Sequence, residues 1–109
     1  MRYKEIFKLK EMLEKAGIPF EFIDRSEDFI YLPRNKECYE FWQICYPQSD
    51  ERVCSIIEGF GTFGRDDDLL EIMGLLTESE QEDDCVLGYL TSEEVFERIE
   101  KHHKGEKND

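Results

Sequence analysis

The chain has 109 residues, of which 39% are hydrophobic and 38% charged, and its formal net charge at pH 7 is −13. This length fits one domain with one modest core, and the hydrophobic content is too high for a disordered acidic chain. Thirteen acids and one base, Arg98, lie between residues 66 and 100, so this segment alone carries a net charge of −12. Such a field repels nucleic acid and anionic membranes and attracts basic proteins or cations.

The composition also bears on the compartment. No stretch approaches the roughly 20 apolar residues of a membrane span, and residues 1–10 alternate charged with apolar side chains where a signal peptide would run apolar. The four cysteines form no Cys-x-x-Cys pair and lie among hydrophobic or aromatic neighbours: Cys38, Cys45, Cys54 and Cys85. We expect reduced, structural thiols in a cytoplasmic protein, although the even number would permit two disulfides in a secreted one.

The first elements in chain order are predicted as a helix and a hairpin. Apolar residues recur at three- and four-residue steps from Tyr3 to Ala16, and Gly17 and Pro19 end the pattern, which is typical of an amphipathic helix. Phe20–Arg25 and Phe29–Leu32 are aromatic and β-branched with turn-forming residues between them, which predicts the first hairpin.

A second hairpin is predicted from Phe41–Tyr46 and Arg52–Glu58. Alternation places Trp42, Ile44 and Tyr46 on one face of its first strand, and we expect that face to be core. A turn centred on residues 49 and 50 would set the register of this hairpin. It pairs Trp42 with Ile57, Tyr46 with Val53 and Cys45 with Cys54, and a one-residue slip would break the last contact.

The remainder of the chain is predicted as helix, short strand and helix. After the glycine-rich residues 59–64, Asp66 can cap a middle helix with an apolar face of Leu69, Leu70, Met73 and Leu76. Capping-box spacing marks two further helix starts, at Thr77 with Glu80 and at Thr91 with Glu94. Between them lies a short buried strand, Cys85–Leu90, and the last helix has an apolar face of Val95, Phe96 and Ile99.

These elements predict an α+β fold. Its antiparallel sheet consists of two hairpins plus a short fifth strand, and the N-terminal, middle and C-terminal helices cover one face. Residues 1–103 form the single domain, and residues 104–109 form a disordered tail. A doubly wound α/β fold is disfavoured because strands and helices do not alternate.

One motif matches a cofactor site in its spacing. Gly59, Gly61 and Gly64 reproduce the G-x-G-x-x-G pattern of dinucleotide-binding loops between a predicted strand and helix. Three aspartates, at 66–68, would however stand where the phosphate binds, and no repeated βαβ unit surrounds the motif. We therefore interpret it as a glycine-rich turn and predict no nucleotide cofactor.

The other reactive side chains also favour structural roles. The acids of residues 66–84 lack the spacing of a calcium-binding loop, so we expect only weak surface binding of divalent cations. His102 and His103 point about 100° apart on a regular helix, too far to share a metal, and they suit a helix C-terminus. Cys38 has two basic residues nearby, Arg34 and Lys36. The aromatic residues of the predicted sheet lie among more acids than bases, which favours core and interface packing over base stacking. The sequence thus predicts no catalytic residue, no cofactor and no metal site.

Two segments carry a resemblance. The sequences DDLLEIMGLLT, at residues 67–77, and GYLTSEEVFERI, at residues 88–99, resemble small uncharacterised proteins of phages and mobile elements of Gram-positive bacteria. The resemblance implies an accessory or host-interaction role and carries no known activity.

Two functions of different classes follow. The first is a non-catalytic protein that binds a protein partner through its acidic face or associates with itself through aromatic sheet surface. The second is a nucleic-acid mimic, in which carboxylates of residues 66–100 form a stripe spaced like duplex phosphates and inhibit a DNA-binding protein. An enzyme of unrecognised type ranks third. Since the acids at 66–68, 93 and 94 suit helix starts, the candidate partner face is Glu78, Glu80, Glu82, Asp83 and Asp84.

Overall fold

The computed structural model describes residues 3–25, 40–59, 67–76 and 86–105. In chain order the elements are α1 (Glu5–Ala16), β1 (Glu21–Asp24), β2 (Phe41–Tyr46), β3 (Cys54–Gly59), β4 (Leu70–Met73), β5 (Val86–Leu90) and α2 (Ser92–His103). The strands form one antiparallel sheet in the order β1-β2-β3-β4-β5. The predicted α+β class and five-stranded antiparallel sheet are confirmed, whereas the described residues contain two helices where three were predicted. Neither of the two has the length and apolar character needed to cross a membrane.

One core cluster joins both helices to the sheet. Its buried side chains come from α1 (Ile6, Leu9 and Leu13), from the residues just after α1 (Ile18), from α2 (Val95 and Ile99) and from the strands (Ile44, Tyr46, Cys54, Ile56, Leu70, Ile72 and Leu90). Helix α1 contacts α2, β2 and β3, while α2 also contacts β4. Because burying one large aliphatic side chain contributes roughly 1.5–3 kcal/mol, this cluster is the main source of stability.

One end of each helix follows a local sequence signal. Gly17 takes the left-handed conformation after α1, with φ of 70°, and its N–H donates to the Glu14 carbonyl at 3.2 Å. At the start of α2 the Thr91 hydroxyl accepts from the Glu94 N–H at 3.2 Å, and the Glu94 carboxylate accepts from the Thr91 N–H at 3.0 Å. The predicted capping box at Thr91 and Glu94 is therefore confirmed.

We expect Thr91→Ala to lower the free energy of unfolding by about 1 kcal/mol, because the Glu94 N–H loses its acceptor and the capping box opens. Urea unfolding followed by circular dichroism measures this change. Thr91→Ser is the matched control, since it keeps the hydroxyl, and it should stay close to the wild type. Equal stability of Thr91→Ala and Thr91→Ser would contradict the prediction.

The β2–β3 hairpin is confirmed, but its predicted register is wrong by one residue. Tyr46 lies opposite Cys54, Cys45 opposite Ser55, and Trp42 opposite Glu58. The prediction assumed a connection of six residues, whereas residues 47–53 form one of seven, which changes the parity of the pairing. The predicted Cys45–Cys54 pair is consequently absent: the two thiols, both free and buried, project from opposite faces of the sheet.

The predicted middle helix is wrong, because its residues form strand β4 between β3 and β5. Leu70 and Ile72 are fully buried while Met73 is exposed, which is the two-residue alternation of a strand. Positive φ angles at Asp68 (55°) and Gly74 (97°) take the backbone out of helical geometry on either side. A short apolar run fits both the 3.6-residue period of a helix and the two-residue period of a strand. Pairing with two neighbouring strands decides in favour of the strand.

Other predictions are tested in part. The second strand of the first predicted hairpin, 29–32, and the helix start at 77–80 lie outside the described residues, and β1 pairs with β2. The predicted strand before α2 is present as β5, although Tyr89 within it is exposed. Of the predicted tail, Lys104 and Gly105 still hydrogen-bond to the backbone of α2, and residues 106–109 lie outside the described part.

Candidate functional site

The candidate partner face falls on the connection between β4 and β5. Glu78, Glu80, Glu82, Asp83 and Asp84 all lie outside the described residues. The ends of that connection are nevertheless fixed, because Met73 of β4 lies directly opposite Val86 of β5. The five acids therefore lie in the chain segment that connects β4 to β5, which we call the acidic connection.

Two large hydrophobic side chains are exposed on the same hairpin. In the described part of the chain, Met73 is 50% exposed and Tyr89 is 60% exposed. Since Leu70 pairs with Leu90 and Ile72 with Leu87, one residue of β4 faces two residues of β5, Gly88 and Tyr89. Tyr89 is thus part of a β-bulge, and Met73 lies at the end of β4 that leads into the acidic connection. We call Met73 and Tyr89 the hairpin surface.

Tyr89 occupies this position at an energetic cost. Its φ is 61°, a left-handed conformation that costs a non-glycine residue roughly 1–2 kcal/mol. A glycine would avoid the cost, and the exposed ring gains little from burial. Strained backbone in a bulge, with an aromatic side chain directed to solvent, is typical of positions used for contact.

A second cluster of acids stabilises the first turn of α1. Lys4, at the N-cap, provides no side-chain cap of its own. Asp68, just before β4, accepts from the N–H groups of Lys4 at 2.8 Å and Glu5 at 3.2 Å. Glu58, on β3, accepts from the Ile6 N–H at 3.2 Å through Oε1. Two carboxyl groups from distant parts of the chain therefore bind the free N–H groups of one helix end.

The first turns of α1 and α2 are also joined directly. The Glu5 carboxylate accepts from the Ser92 N–H at 2.7 Å, and Lys8 forms an ion pair with Glu93. The charge pairing lowers the pKa of Glu93 and raises that of Lys8. We call Glu5, Glu58 and Asp68 the carboxyl junction, since together they bind the starts of both helices.

Glu58 is the unusual member of the carboxyl junction. Its side chain has no exposed surface (0%), and in the described part of the chain its Oε2 atom has no hydrogen-bond partner. Burial, and then the neighbouring Asp68, raise the pKa of Glu58 to about 9. For Asp68, partial burial acts to raise the pKa, but the interaction with Glu58 and the N–H donors of Lys4 and Glu5 bring it below its usual value. At neutral pH Glu58 is therefore protonated and Asp68 ionised.

Separated pKa values in a carboxyl pair are typical of acid–base catalysts. A catalytic acid must reach its substrate, however, and Glu58 has no surface from which to do so. A surface depression with a volume of about 270 Å³ is lined by Tyr3, Lys4, Phe7, Lys8 and Glu11 and includes neither Glu58 nor Asp68. The carboxyl junction is suited to holding a proton inside the protein.

The surroundings of the described cysteine and histidine side chains discussed next suit structural roles. Burial raises the pKa of the Cys54 thiol to about 12, which makes it a poor nucleophile at neutral pH. The Tyr46 hydroxyl and His102 Nδ1 are 2.8 Å apart, so this histidine is bonded to a core side chain. Cys38 and Cys85 lie outside the described residues. Across the described ranges, no group of three or more His, Cys, Asp or Glu side chains is arranged to hold a metal ion.

Sequence reasoning missed Glu58 for a specific reason. With the predicted register, Glu58 falls on the face away from Trp42, whereas the observed pairing places it opposite Trp42 on the helix-facing side. Both alternations of residues 53–58 contain two apolar side chains, so the composition of β3 does not select the buried face. The only signal is the length of the connection before β3.

Comparisons of the chain with protein-family models, with curated proteins and with solved structures find no match.

Proposed function

We propose that this protein is a small non-catalytic interaction protein of the cytoplasm that binds a basic protein partner through the hairpin surface and the acidic connection. The observation that carries the proposal is the exposure of Met73 and Tyr89 on β4 and β5, whose connecting sequence contains five acids. A role as an accessory protein of a phage or mobile element agrees with the resemblance of residues 67–77 and 88–99.

Physical chemistry supports this choice of surface. Tyrosine is a frequent energetic centre of protein interfaces, because its ring gives a large contact area and its hydroxyl a polar contact. Acids beside such a centre attract a basic partner over distance and speed the encounter. The hairpin therefore combines a short-range anchor with a long-range attraction for one class of partner.

The nucleic-acid mimic stays a prediction with less support. It needs carboxylates of residues 66–100 that are free to imitate a row of phosphates. Several of those described have other partners: Asp68 caps α1, Glu94 completes the capping box, and Glu93, Glu97 and Glu100 lie within reach of lysines. The row would have to come from the remaining acids of residues 66–100.

Tyr89→Gly tests the proposed function without disturbing the fold. Glycine relieves the left-handed strain while the side-chain contacts are lost, so we expect a free energy of unfolding within about 1 kcal/mol of the wild type. We expect the affinity for the partner to fall about tenfold or more, as for an interface centre. The assay is capture from the lysate of a Gram-positive bacterium at low salt, followed by titration of the captured protein against each variant.

Two further variants make the test specific. Replacing the five acids of the acidic connection by Gln and Asn should weaken binding and remove its salt dependence. Glu97→Gln changes the net charge on the outside of α2 and should bind like the wild type. A monomer that captures no partner at low salt, or a partner bound equally by Tyr89→Gly and wild type, would count against the proposal.

A further inference from the structure

We propose that Glu58 and Asp68 share one proton and act as a pH-sensitive latch that holds the segment before β4 on the first turn of α1. Loss of the proton opens the latch. This device is independent of the proposed partner surface, because it depends only on contacts inside the fold.

The geometry of Glu58 requires a proton. Among the described residues, Oε1 has one donor, the Ile6 N–H, and Oε2 has none. A buried carboxylate with one hydrogen bond is strongly disfavoured, because burial removes its solvation by water. A neutral carboxyl group in the same place loses far less solvation free energy. A proton on Oε2 turns the unpartnered acceptor into a donor for the nearby Asp68 carboxylate.

Among the described residues, the charged groups that act on Glu58 favour that proton. Asp68, from the segment before β4, and Glu5, from α1, act on Glu58 and both raise its pKa. The lysines on this side have other partners: Lys4 lowers the pKa of Asp68, and Lys8 pairs with Glu93 of α2. From β2 the residue opposite Glu58 is Trp42, which carries no charge. Within residues 3–25, 40–59, 67–76 and 86–105, these groups thus supply no cation to replace the proton.

The pH dependence follows from the two pKa shifts. The folded protein binds the Glu58 proton up to about pH 9, while the unfolded chain releases it near the ordinary value of 4.5. Stability from this group is fully present below the unfolded value and is lost as pH rises towards the folded one. Asp68 has the opposite sign: its lowered pKa contributes stability above its ordinary value of 3.8, which is lost as pH falls. The latch is therefore most stable in mildly acidic solution.

Opening should begin at Asp68. Without the proton, two adjacent carboxylates repel each other, and Glu58 is inside the core while Asp68 is only partly buried. The relief that costs least is movement of Asp68 away from the Lys4 and Glu5 N–H groups. Since Asp68 lies two residues before Leu70, the start of β4, the latch connects the stability of α1 to the position of that strand.

Carbon NMR of protein labelled at the glutamate carboxyl carbons tests whether Glu58 holds the proton. The resonance that disappears in Glu58→Gln is the one to follow through a pH titration. We expect it to titrate several units above the exposed glutamates, and we expect Asp68→Asn to move that midpoint downward. A midpoint within about one unit of the ordinary glutamate value would overturn the proposal.

Amide hydrogen exchange tests whether the latch opens. Between about pH 5 and about pH 9, protection of the Lys4 and Glu5 amides should fall about tenfold or more in the wild type and in the charge control Glu97→Gln. In Glu58→Gln it should stay constant, because a neutral amide replaces the protonated acid. Equal loss of protection in all three proteins would overturn the latch, and Asp68→Asn repeats the comparison if Glu58→Gln does not fold.

Discussion

Gly59→Ala is expected to lower the free energy of unfolding by more than about 3 kcal/mol, a large part of the about 5–15 kcal/mol that stabilises a typical domain. Gly59 ends β3 with φ of 149°. A methyl group there would collide with the carbonyl oxygen of Glu40 and would lie 2.6 Å from the Phe41 Cα atom. Both are backbone atoms of the paired strand, so no side-chain rotation relieves the collision, and β2 and β3 must separate.

Gly17→Ala is the matched control for this prediction. Gly17 also has a positive φ, 70°, but a methyl group there meets nothing within 4 Å. Its cost is only the left-handed conformation, about 1 kcal/mol. Urea unfolding of both variants, with soluble yield as a second readout, separates collision from backbone strain. Equal stability of the two variants would show that β2 and β3 are not in contact at Gly59.

Ile72→Ala is expected to cost about 2–5 kcal/mol, because it removes a fully buried side chain from the core cluster. Met73→Ala should cost less than about 1 kcal/mol, since Met73 is half exposed. The predicted middle helix orders these two residues the other way, with Met73 on its buried face and Ile72 outside it. Thermal unfolding of both variants therefore decides between strand and helix, and a larger loss for Met73→Ala would restore the helix.

The two helices show what local sequence signals can establish. Spacing of apolar residues, Gly17 and the capping box of Thr91 and Glu94 each involve residues within a few positions of one another, and all three signals match the structure. Asp68 shows the limit of such signals. Its acidity suggested a helix start close by in sequence, but it caps α1, which is 63 or 64 residues away along the chain.

The candidate site depends on two structural features that residues close in sequence do not determine. Pairing with β3 and β5 makes residues 70–73 a strand, and this creates the hairpin on which Met73 and Tyr89 are exposed. The seven-residue connection between β2 and β3 shifts the register by one, and this places Glu58 in the core. The acidic connection was predicted as a partner surface from charge alone, and the strand pairing shows that it connects two neighbouring strands, β4 and β5.

By itself, the sequence determined the α+β class, both described helices with the end of α1 and the start of α2, the β2–β3 hairpin and the concentration of negative charge in residues 66–100. These properties arise from composition and from contacts between near neighbours, which a single sequence records. Only the tertiary structure decided the identity of β4, the buried face of β3 and the meeting of Glu58 with Asp68. Those features depend on which distant segments pair and in what register, and a shift of one residue exchanges the core and outer faces of a strand.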